Sequence, residues 1–180
     1  MNVSVINRKK IITDIIAALV AVASAVALPQ IFHAIGVVSG TGAAVGAAFL
    51  PMHIPVILAG LFFGPSVGAV TGLLSPVVSI MISGMPSAAL LPFIVLELFA
   101  YGLAAGFMNK LKINSFVKLF IVQLSGRIVR AIAIIASIYA FGNTALTLAS
   151  IGEFITAGLF GILLQWALIP MLVDRFGSRG

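Results

Sequence analysis

An all-α integral membrane protein, a compact bundle of six transmembrane helices with both termini in the cytoplasm, is the fold this sequence predicts. Three observations predict it. Of the 180 residues, 62% are hydrophobic and 8% charged, against about 45–50% and about 25% in soluble domains. The apolar residues fall into six runs of roughly membrane-spanning length, divided by Gly, Pro and charged punctuation. Eight of the ten Lys and Arg sit at alternate junctions between those runs, the pattern of the positive-inside rule. At a mean hydropathy of +1.27, an interior of this size cannot hide so much apolar surface, so the bilayer is the solvent.

The single domain, residues 1–180, is expected to divide as follows. The first span runs over Ile11–Phe32, directly after Arg8, Lys9 and Lys10. Basic residues, an apolar run and Ala23-Ser24-Ala25 together mimic a cleavable signal peptide. The run is nevertheless long enough to cross, so it reads as a retained span. The second, Ala43–Phe63, is broken by His53-Ile54-Pro55, and a tight Gly64-Pro65 turn leads into the third, Ser66–Ile82. The fourth is Ala88–Met108, the fifth Phe116–Phe141 and the sixth Ile151–Leu172. Pro55, Pro76 and Pro92 each remove a backbone donor in or near a span, which neighbouring helices must compensate. Short, kinked spans of this kind suit a bundle with a cavity.

With the N-terminus inside, all eight peripheral basic residues fall in the cytoplasm: Arg8, Lys9, Lys10, Lys110, Lys112, Lys118, Arg175 and Arg179. The three outside connections, near 33–42, 83–87 and 142–150, carry none. The first, GVVSGTGAAVGAAF, and the third, GNTALTLASIGE, read as connectors or as lids over an outward-facing site. Asn143 in the third offers a hydrogen bond to a ligand.

Composition also narrows function. The net charge of +6 belongs to membrane topology and calls for no nucleic-acid partner. No cysteine is present, and His33 and His53 are too far apart for a helical metal motif. Neither HExxH, GxSxG nor GxxxxGK[ST] occurs, so no hydrolytic site, metal, cofactor or ATPase of the chain's own is expected.

Two arginines remain. Arg127 and Arg130 lie within the fifth span, where a charge costs at least about 2.5–3.5 kcal/mol. With Gln123 they form a stripe at i, i+4 and i+7. Glu97 in the fourth span matches Arg130 in depth, so an ion pair is expected, with Arg127 deeper and open to another partner. Two arginines against one glutamate leave a positive charge over, which an anionic ligand would neutralise. Tyr101, one turn below Glu97, His53 in the broken second span and Gln165 in the sixth complete the candidate ligand set. Trp166 reads as a packing residue, and Glu153 as a charge at a helix N-terminus.

Ala17, Ala21 and Ala25 recur every four residues on the first span and make a smooth face for close helix approach. That face serves either internal packing or a partner. Gly60, Gly64, Gly68 and Gly72 form a second ridge. With the segment LPMHIPVILAGLFFGPSVGAVTGLLSPVVS (Leu50–Ser79) and SGMP at Ser83–Pro86, these features resemble the substrate-binding S components of energy-coupling factor (ECF) vitamin transporters. The resemblance spans essentially the whole chain, although many relatives carry a basic residue after Gly-Pro where Ser66 stands here. It implies capture of a water-soluble vitamin from outside, and docking through Ala17, Ala21 and Ala25 onto a membrane coupling subunit driven by two ATPase subunits. It also implies a prokaryotic plasma membrane. The surplus arginine points to an anionic vitamin such as pantothenate, with folate or cobalamin still open. A self-sufficient secondary carrier, expected to show an inverted repeat, and a purely structural membrane protein are the competing readings.

Overall fold

The computed structural model describes residues 8–40 and 48–177. Among the described residues, seven helices have both ends in view: α1 Arg8–Val38, α2 His53–Phe63, α3 Pro65–Ser83, α4 Leu91–Met108, α5 Ser115–Tyr139, α6 Ala149–Ala157 and α7 Leu159–Phe176. All but α2 and α6 are long and apolar enough to cross a membrane. Broad apolar surfaces on α1, α5 and α7 stay exposed, as expected for helices solvated by lipid.

The boundaries depart from the sequence expectation in three places. α1 continues past Phe32 to Val38 with Pro29 inside it, so part of the first outer connection is helical; residues 41–47 of that connection lie outside the described residues. α2 begins only at His53. Its 11 residues reach about 16 Å at 1.5 Å per residue, half of a hydrocarbon core of about 30 Å. The expected sixth span is two helices, broken at Gly158.

The basic ends of the helices meet at one end of the bundle. Thr13 of α1 and Phe63 of α2 line one groove; Pro65, opening α3, abuts Gly106 near the end of α4; and the Ser115 hydroxyl at the start of α5 bonds Asp174 near the end of α7. We call the opposite end the outer end.

α4 is the central helix, packed against α2, α3 and α5. The glycine ridge makes this possible. A Cβ on Gly68 would strike the Gly102 carbonyl, one on Gly102 the Gly68 carbonyl, and one on Gly72 the Leu98 carbonyl. The Gly-rich faces of α3 and α4 therefore meet backbone to backbone, gaining dispersion contact where lipid offers no hydrophobic drive. On the other side of α4, Gly126 of α5 leaves room for the Tyr101 ring.

Gly102→Val should therefore lower the melting temperature in detergent, by about 1–3 kcal/mol of overpacking. Gly152→Ala, where an added Cβ meets nothing, should leave it unchanged.

Candidate functional site

Glu97 lies in the second turn of α4, fully buried. Its carboxylate gathers four side chains from three helices. Arg130 Nη1 donates to Oε2 at 2.6 Å, and Arg127 Nη1 stands 3.1 Å from Oε1. The Tyr101 hydroxyl donates to Oε1 at 3.2 Å, and His53 Nε2 lies 3.9 Å from Oε2. The helical repeat explains the convergence: Glu97 and Tyr101 share a face of α4 at i, i+4, and Arg127 and Arg130 share one on α5. His53 arrives because α2 starts at mid-depth. Its ring meets the Tyr101 ring edge-on, with centroids 5.3 Å apart.

So Glu97 pairs with Arg130 as depth indicated, and Arg127 turns to the same carboxylate rather than toward the cytoplasmic side. One negative and two positive charges leave the cluster one positive in excess. Its hydrogen bonding is incomplete as well. His53 Nδ1 and Nε2, Arg127 Nη1, Arg130 Nε and Gln165 Nε2 are buried without a hydrogen-bond partner; Arg127 Nη1 is near enough to Glu97 for an ion pair but poorly aligned for a bond. Buried polar groups in folded proteins are nearly always satisfied, so the four such atoms around the Glu97 carboxylate mark a place that a polar ligand or water completes.

Gln165 joins a polar network between α5 and α7. Gln123 Nε2 donates to Gln165 Oε1 at 2.9 Å, and Trp166 Nε1 donates to Gln123 Oε1 at 2.7 Å. Trp166 thus anchors a side-chain network besides packing. Asn143 stands apart: it bonds Ser137 Oγ and the Ala145 amide, bracing its own turn. Glu153 is exposed. Among the described residues no three His, Asp or Glu converge to hold a metal ion.

Above the half-length α2 the outer end holds a cavity of about 300 Å³. Its polar lining is His33, His53, Ser79 and Ser87. The two histidines, far apart in sequence, face one space. His53 thus connects the cavity to the charged cluster. His33, Ser79 and Ser87 carried no signal in the sequence, because only the fold brings α1, α3 and the α3–α4 turn to the same rim. Phe154 of α6, whose ring lies 4.1 Å from the Arg130 guanidinium carbon, was equally illegible.

The alanine face of α1 divides. Ala25 is completely buried in the main core, whereas Ala17 packs against Ala59 and Val67 with Ala21 alongside. Ala17 and Ala21 also line an apolar groove between α1 and α2. Ala25 serves internal packing, whereas Ala17, itself buried, and the partly buried Ala21 border the groove.

The family model described as "ECF transporter, substrate-specific component" matches residues 8–173. The chain belongs to this family. It is a multi-pass membrane protein of the substrate-binding transport type, working with an ECF module. Comparison with curated proteins and with solved structures gives no match.

Replacing Glu97 with Gln should cost about 3–5 kcal/mol, the penalty of stranding buried partners of an ion pair. Tyr101→Phe removes one bond to a charged group and should cost about 1.5–3 kcal/mol. Thermal unfolding in detergent ranks the two; equal losses would mean that charge pairing is not what the cluster depends on.

Proposed function

We propose that this S component captures a small, anionic, water-soluble vitamin from outside the prokaryotic plasma membrane, with pantothenate the best candidate. It then docks on a membrane coupling subunit and two ATPase subunits. The observation that carries this reading is the buried cluster at Glu97, one positive charge in excess and short of acceptors. His53, Glu97, Tyr101, Arg127, Arg130 and Gln165 are its working residues, while Asn143 acts on the outer connection. A carboxylate suits this cluster because guanidinium groups bind it through paired N–H bonds, and a cationic ligand would be repelled. An outer cavity of about 300 Å³ is at the small end of ligand pockets, roughly 300–1,000 Å³.

Docking uses the α1–α2 groove. Ala17 and Ala21 form its smooth floor, and a helix of the coupling subunit would approach closely there.

Native mass spectrometry of the detergent-purified protein should reveal a co-purifying acid of low mass. A protein free of any bound molecule and unable to associate with a coupling subunit would overturn the reading. Arg130→Ala should weaken pantothenate binding by at least about tenfold, the 1.5–3 kcal/mol of a charged hydrogen bond, and Glu153→Ala should not. Ala21→Leu should preserve binding in detergent but abolish uptake by cells carrying the ECF module.

A further inference from the structure

Neither arginine of the cluster lines the outer cavity. α6 covers Arg130, and Arg127 lies between α6 and a second groove lined by Ile162, Leu163 and Trp166 of α7. Arg127, Arg130 and Ile134 of α5 face Ile151, Phe154 and Ile155 of α6 across a void of about 10 Å³, room for no more than one water. The Phe154 ring lies on the Arg130 guanidinium at 4.1 Å, a cation–π contact that covers the face of the charge. Behind it Arg130 Nε and Arg127 Nη1 remain without hydrogen-bond partners.

α6 is also poorly held. Ser150 is its one buried residue, and it packs mainly on α7, its neighbour in sequence. The two helices are separated by Gly158, where the helical hydrogen-bond ladder breaks. A Cβ at Gly158 would press on Leu50 and on Arg127 Nη2, so the break sits directly against the charge it shields. Few buried contacts and a glycine junction are the marks of a segment that opens at low free-energy cost.

We propose that the anionic end of the captured solute is seated beneath α6, against Arg127 and Arg130, and that α6 swings on Gly158 to admit it, lifting Phe154 off the guanidinium. This rests on the capture function proposed above and adds the gate and the seat. Phe154 holds the surplus charge in the empty protein, and the solute's carboxylate takes over from it.

The chain has no cysteine, which permits a direct test with an anionic probe. Ile134 is buried, with 1% exposure, in the wall of the void. In Ile134→Cys, sulfonatoethyl methanethiosulfonate should modify the folded protein. Relative to its rate with free cysteine, it should outpace the trimethylammonium analogue by about tenfold or more, because a cleft lined by one sign of charge concentrates the counter-ion. Ala131→Cys, a milder change in the same wall, is measured in parallel in case the first variant does not fold. Thiols that stay unmodified at both positions, or that react equally with both reagents, would overturn the proposal. A co-purifying acid together with unreactive thiols leaves capture standing and removes the gate. Charge-selective modification in a protein that neither carries a bound molecule nor associates with a coupling subunit supports the gate, and in that case capture is what falls.

Discussion

Everything in the outer half of this bundle depends on one buried carboxylate. Glu97 sits on the central helix, and both arginines of α5 are tolerable in the membrane because their charge is shared with it. An isolated guanidinium at that depth would cost several kcal/mol; paired, it cross-links α4 to α5, and Tyr101 and His53 tie the same carboxylate to its own helix and to α2. The pairing is lopsided by one charge, and the proposed capture of an anion rests on that imbalance.

The central position of α4 has a mechanical cause. Glycines on α3 and α4 let their backbones touch, so the inner half is packed through main chain rather than long side chains. Such a contact is stiff. The outer end is built differently: α2 stops halfway, α6 is separated from α7 by a glycine, and polar side chains take the place of tight packing. A rigid inner half with a loosely covered outer half is what a capture protein needs, since the first must survive association with partners while the second admits a solute.

The division of the alanine face follows from the same packing. One helix surface cannot both fill the core and present itself to a partner. Ala25, level with the core around Met52 and Leu98, is consumed inside. Ala17 and Ala21, nearer the basic end, lie where α1 and α2 diverge into a groove. Spacing alone treats the three residues alike; separation of the helices distinguishes them.

By itself the sequence determined the membrane fold, the grouping of basic residues at one end, and the pairing of Glu97 with an arginine. These follow from composition, from helical repeat and from depth counted along single helices, all local quantities. It also pointed to the family through the Leu50–Ser79 segment. Tertiary structure decided what depends on distance between helices: that Arg127 joins the same carboxylate, that His33 and His53 share a cavity, that Asn143 bonds within its own turn, and that Phe154 covers Arg130. The interruption of the second span at His53-Ile54-Pro55 was legible in its proline, whereas the break of the last span at Gly158 was not, because a hydrophobic run reads the same whether its backbone continues or turns. Burial of charge is legible in a linear chain; the identity of what shields that charge is settled only when the helices pack.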